Sequence, residues 1–231
     1  MNISITKPCA ISEKSSPTNR EEQIFPSPEA VKAGQRLFLL CEGDDDNGHA
    51  TGSLACESFL TFFTAMLDAE TPSPDFIRKA IQYTEANLEM YRKERPNDTA
   101  VPLSLAMLYI SSEGITVAHT GNCRIYHFRH GHIIYRTASK TNASVRLIRD
   151  LQPDDHFFLC TSDNSMGSIT DDKLSSIFRQ KLPPEIIKDE LVEYCDSKNR
   201  KNYSFYIIPV LDVQETISYK QSFLSFLSSI A

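Results

Sequence analysis

The alternation of apolar and polar positions divides the chain into compact blocks. Leu37-Phe38-Leu39-Leu40-Cys41 is a continuous apolar run stopped by Glu42-Gly43, the pattern of a strand buried on both faces that delivers a carboxylate to a polar edge. The segment from Ser53 to Leu67 is apolar over a broad helical face and too long for a strand, so it predicts a buried helix. Thr71-Pro72-Ser73-Pro74 ends that helix and starts another from about Asp75 to Arg95. Four strands are expected next: Val101–Ile110, Ile115–His119, Arg124–Phe128 and Ile133–Arg136. Their separators are too short for parallel crossovers, which predicts an antiparallel meander.

After a polar connection, Phe157–Cys160 reads as another short buried strand, ending at Thr161-Ser162-Asp163. A carboxylate again follows a buried strand. Helices are expected from Asp171 to Arg179 and from Pro183 to Cys195, each with acids in its first turn, then a last core strand over Ser204–Val210. The pattern predicts a loose leader over residues 1–36 with one short strand in it, a flexible segment at 1–14, one domain over 15–212, and an amphipathic tail over 213–231. Adjacent helices followed by strands imply helical layers against sheet.

Composition narrows the partners. The chain has 231 residues, 41% of them hydrophobic, and a formal charge of -6, with a pI near 5.5. It carries no basic block of the kind that binds nucleic acid. No segment matches a secretory signal or a bilayer span, and the six cysteines are scattered as small buried hydrophobes. A reduced, cytoplasmic protein is expected, with no nucleic-acid or membrane partner.

The candidate chemistry gathers at the two strand ends. Gly43, Gly48 and Gly52 let the loop after Glu42 fold closely over a hard cation, which favours oxygen ligands; an acidic loop facing water is the alternative. His127, His130 and His132 with Cys123 lack paired zinc-ligand spacing, so core and surface roles are expected for them.

Taken together, the segments resemble the metal-dependent protein phosphatase family (PPM, or type 2C). In order they are Arg20-Glu21-Glu22, Glu42-Gly43 with Asn47-Gly48-His49-Ala50-Thr51-Gly52, Gly121-Asn122-Cys123-Arg124, Ser162-Asp163-Asn164, and Lys201-Asn202 before the last strand. The resemblance covers about residues 15 to 210. It implies an α+β fold of two packed antiparallel β-sheets flanked by helices, an αββα sandwich. It also implies a centre in which two magnesium or manganese ions activate a water that attacks a phosphoserine or phosphothreonine.

Carried over position by position, the resemblance makes Glu42, the Gly43 carbonyl and Asp163 metal ligands, with Glu21 and Glu22 in the shell outside them. His49 is a candidate general acid. Glu42 stands for the family's bridging aspartate and keeps its charge. Lys201 stands for the last metal aspartate, and Pro17 falls where the phosphate-binding arginine belongs. A charged lysine has no lone pair for a metal, and proline offers no guanidinium fork. Between Thr137 and Leu151 the family's longer insert is reduced to Ala138–Asp150. Asp196, or Asp44, Asp45 and Asp46, could supply another acid; alternatively Lys201 neutralises Glu42 and Asp163 in place of a second cation. The resulting expectation is a catalytically impaired homologue, a pseudophosphatase acting in signalling by binding a protein or phosphoprotein partner. The alternative is a slow Mg/Mn-dependent serine/threonine phosphatase, a hydrolase.

Overall fold

The computed structural model describes residues 1–13, 20–44, 51–67, 71–94, 103–138, 140–161, 166, 168–198 and 202–215, without the side chains of 20, 21, 44 and 140–142. Two antiparallel sheets pack face to face. The first has the order β1 (Asn2–Ile5), β11 (Tyr203–Gln214), β10 (His156–Cys160), β7 (Arg124–Arg129), β8 (His132–Arg136), with β2 (Cys9–Glu13) also on β11. The second has the order β3 (Arg20–Phe25), β4 (Leu37–Asp44), β5 (Ser104–Ser111), β6 (Gly114–Gly121), β9 (Lys140–Ile148).

Strand alternation fixes what fills the space between the sheets. Ile24, Leu40, Ala106 and Val117 from one sheet, and Ile125, Leu159, Tyr206 and Ile208 from the other, form one buried cluster. The opposite faces are covered by helices, because every apolar face must be removed from water. Helices α1 (Thr51–Met66) and α2 (Pro74–Lys93) cover the five-stranded sheet through Phe59, Phe63, Phe76 and Ile77. Helices α3 (Asp171–Phe178) and α4 (Pro184–Ser197) cover the other through Leu174, Phe178, Ile187 and Leu191. Their starts are specified locally: Ser73 accepts from the Phe76 N–H at 3.2 Å and Thr170 from the Lys173 N–H at 3.2 Å, each satisfying an orphan first-turn donor. Truncating Phe59, which is fully buried, to alanine should cost about 3–5 kcal/mol.

Three expectations need correction. The N-terminal stretch is not a loose leader: Asn2–Ile5 and Cys9–Glu13 both pair with β11. β11 runs for 12 residues, long enough to hold two successive edge strands that were hidden by Pro8 and polar neighbours. The four-strand meander is two hairpins in different sheets, β5–β6 and β7–β8. The chain changes sheet at Gly121, whose φ is 69° and where an added Cβ would lie 2.7 Å from the Leu103 carbonyl oxygen, so no side chain fits. The stretch expected as a polar connection holds β9, paired with β6. Among the described residues, no helix is long and apolar enough to cross a membrane.

Candidate functional site

The site is the polar row that closes one end of the inter-sheet layer. On that face six of the strands are apolar through the layer and end in a polar side chain or, at Cys123, a thiol. Leu40 gives way to Glu42, Ile24 to Glu22, Ala106 to Ser104, Ile125 to Cys123, Leu159 to Thr161 and Tyr206 to Ser204. Period-two alternation keeps all six on the inward side.

These residues form a closed circuit. Glu42 lies opposite Ser104 across β4–β5. The Ser104 hydroxyl accepts from the Cys123 N–H at 3.0 Å and donates to Cys123 Sγ at 3.2 Å. The next residue, Arg124, is paired with Cys160, and the Thr161 N–H after it donates to the Ser204 carbonyl at 3.0 Å. The Ser204 hydroxyl donates to Glu22 Oε2 at 2.6 Å, and Glu22 lies opposite Glu42 across β3–β4. The tips of β4 and β10, distant in the chain, therefore meet at one rim.

Glu22 and Glu42 are 2% and 7% exposed. Like charges directly opposite on adjacent strands repel, and burial strengthens the effect. The neighbouring thiol reports this electrostatic character. Burial, then the Glu42 charge, then, after the opposing Ser104 bond, Cys160 and Glu22, push the Cys123 pKa well above the ordinary thiol value. Cys123 is an inert filler of the row and no nucleophile.

Gly43 is required by close packing. A Cβ there would lie 2.2 Å from Thr51 Oγ1 and 2.7 Å from the Gly52 nitrogen, so the first turn of α1 rests on the strand end. Thr51 Oγ1 is buried and makes no hydrogen bond among the described residues. Carboxylate and carbonyl oxygens such as those of Glu42 and Gly43 are the donor class that magnesium and manganese take, but Thr51 lies on the α1 side of β4 and Glu42 on the inward side, so the hydroxyl and the carboxylate do not form one donor set. Among the described residues, no group of three or more His, Cys, Asp or Glu side chains is arranged to hold a metal.

Of the candidates named from sequence, Glu42, Gly43 and Glu22 lie in or beside the row. Glu21 is described in its backbone alone, opposite Gly43. Pro17, His49, Asp163 and Lys201 lie outside the described residues, as do Asp45 and Asp46. The described neighbours of Asp163 and Lys201 are Thr161 and Asn202–Ser204, and Thr161 and Ser204 belong to the circuit. Asp196 sits in α4 and accepts from the Tyr203 hydroxyl at 3.4 Å. Ser104 and Ser204 are members that sequence reasoning missed; the signal available was a polar residue two positions before an inward apolar one. His127 is buried against Asp155 instead, while His130 and His132 sit at the β7–β8 turn.

No protein-family model and no curated protein matches the sequence. Solved structures do. The PPM Ser-Thr phosphatase MsPP from Mycobacterium smegmatis, in complex with cacodylate, is 15% identical with a TM-score of 0.66, covering 90% of this chain and 100% of that one. The catalytic domain of the serine/threonine phosphatase PstP, in complex with two manganese ions, is 17% identical with a TM-score of 0.66, covering 91% and 100%. Stp1 from Staphylococcus aureus, a serine/threonine phosphatase, is 13% identical with a TM-score of 0.66, covering 89% and 95%. The chain has the PPM phosphatase fold.

Proposed function

We propose that this chain is a phosphatase-fold protein with an impaired two-metal centre, a pseudophosphatase that acts in the cytoplasm by binding a protein or phosphoprotein partner. Fold alone does not decide function, and the reading rests on the pair of substitutions at Pro17 and Lys201. Without the arginine, phosphate loses the bidentate fork that orients it. With lysine in place of the last metal acid, a second dication meets repulsion where it should find a ligand. The opposed, buried Glu22 and Glu42 favour positive charge at the row, and Lys201 stands three residues before Ser204 in the chain. On this reading its ammonium takes the place of one ion.

A second reading has support in Glu42, the Gly43 carbonyl and Asp163. These could hold one or two magnesium or manganese ions, which when bound supply an activated water and a clamp for phosphate. The chain's own residues would then offer only oxygen ligands and the outer-shell acids Glu21 and Glu22, leaving phosphate orientation without an arginine at position 17. The resulting enzyme would be a slow phosphoserine/phosphothreonine phosphatase.

Hydrolysis separates the two. With millimolar manganese, para-nitrophenyl phosphate and phosphopeptides should remain intact. Robust turnover that disappears in Asp163→Asn overturns the first reading in favour of the second.

A further inference from the structure

A second site lies at the other end of the same sheet. His156 starts β10 and Cys160 ends it at the polar row, so the two ends are about 13 Å apart. Around His156 the β7–β8 turn, the α3–α4 connection, the start of β10, the middle of β11 and the β1–β2 link enclose a cavity of about 410 Å³. That volume falls within the range of about 300–1,000 Å³ typical of ligand pockets. Its walls are rings and aliphatic groups, among them Phe178, Leu182, Pro183, Pro184 and Pro209.

Two independent observations separate this cavity from a packing fault. Among the described residues, four non-glycine residues have a left-handed backbone: His130, Asp154, Ser168 and Lys181, with φ of 50°, 66°, 55° and 53°. Three of the four line the cavity. Such conformations cost free energy and cluster where the fold holds a functional shape. The second is Thr6, also in the wall, whose Oγ1 is buried and makes no hydrogen bond among the described residues.

The polar groups of the wall define what fits. His156 Nδ1 lies 2.9 Å from the Asp154 carbonyl. A carbonyl only accepts, so Nδ1 carries the proton and Nε2 is left as an acceptor. Burial, only partly opposed by the Asp154 bond and charge, lowers the His156 pKa and favours this neutral ring. Lys181 and Asp154, both in the wall, bring opposite charges, so neither a strong anion nor a strong cation is selected. We propose that the cavity binds a neutral aromatic group carrying an N–H or O–H donor, an indole or a phenol, its ring against Phe178 and the prolines and its donor on His156 Nε2. Two sources have this chemistry, a free small molecule and a tryptophan or tyrosine side chain of a partner; for either, Leu211, 56% exposed, forms the apolar lip of the cavity that the ring must pass and touch.

The chain contains no tryptophan, so indole fluorescence is read against a dark background. Titrations of indole, 1-methylindole and N-acetyltryptophanamide, run with a chelator so that the metal question does not enter, test the assignment. Indole should bind saturably at millimolar concentration or below, and 1-methylindole, which lacks the donor, about tenfold more weakly, the loss of one hydrogen bond. His156→Leu should erase that preference, and Leu211→Arg, at an exposed position where the fold is not at stake, should weaken both ligands. Tighter binding of N-acetyltryptophanamide than of indole identifies a partner's side chain; exclusion of the blocked amino acid identifies a free small molecule. Absence of saturable binding up to about 10 mM, equal binding of indole and 1-methylindole, or binding unchanged by Leu211→Arg overturns the proposal.

Discussion

Asp155 and Glu22 are both buried carboxylates, 0% and 2% exposed, yet the protein surrounds them differently. Asp155 precedes β10 at the end away from the polar row. It accepts from His127 Nε2, from Arg129 Nε and Nη2, and from the Gln152 N–H, each at 2.9 Å. Glu22 accepts from a neutral hydroxyl, Ser204, and faces a second carboxylate, Glu42, across the strand pair. The first arrangement carries its own countercharge and fastens β7 to the approach to β10. The second sets two carboxylates opposite each other at the rim, with a neutral serine hydroxyl on one of them.

The largest effect should come from breaking the self-sufficient end. Asp155→Ala leaves the buried His127 without its carboxylate and Arg129 held by Asp150 alone, and should cost about 3 kcal/mol in urea unfolding. A loss under about 1 kcal/mol would mean that the cluster is dispensable. The same group sets an acid limit. Burial alone would raise the Asp155 pKa, but the Arg129 and His127 bonds outweigh it and hold the pKa at about 2, below the ordinary 3.8. A depressed folded-state pKa gives stability that is present above the unfolded value and lost as pH falls. Stability should therefore drop between about pH 4 and pH 2 in the parent and less steeply in Asp155→Ala. Parallel pH profiles for the two proteins would contradict the assignment.

At the rim, Gly43→Ala should be the next most damaging change. Its Cβ would push Thr51 and Gly52 off the strand end, with an overpacking cost of about 1–3 kcal/mol. An unchanged melting temperature would show that α1 does not rest on Gly43. Ser204→Ala should have the smallest effect, about 1–2 kcal/mol, from loss of the hydroxyl donor to Glu22. If Ser204→Ala proves costlier than Asp155→Ala, the contrast between the two ends is wrong.

The sequence exposed these two ends unequally. Glu42 and Gly43 stood out because a five-residue apolar run stopped at them, and the helices and most strands followed from periodicity and proline punctuation. The circuit was less visible. Ser104 and Ser204 are ordinary polar residues, and Cys123 an ordinary small one, until the packing of two sheets aligns their strand ends, and that alignment is a long-range property. β1 and β2 were obscured because their register comes from β11, about two hundred positions later in the chain. The role of Asp155 was not legible, since its partners, His127 and Arg129, come from a strand that neighbours it only in space.

Whether an ammonium stands in for a metal ion at the row is decided by stability measured while manganese is titrated, in the parent and in Lys201→Asp. The melting temperature of the parent should barely respond, and that of the variant should rise with manganese, approaching about 2.7 kcal/mol of added stability at a hundredfold excess over Kd. A manganese-dependent rise in the parent as large as that in Lys201→Asp would contradict it.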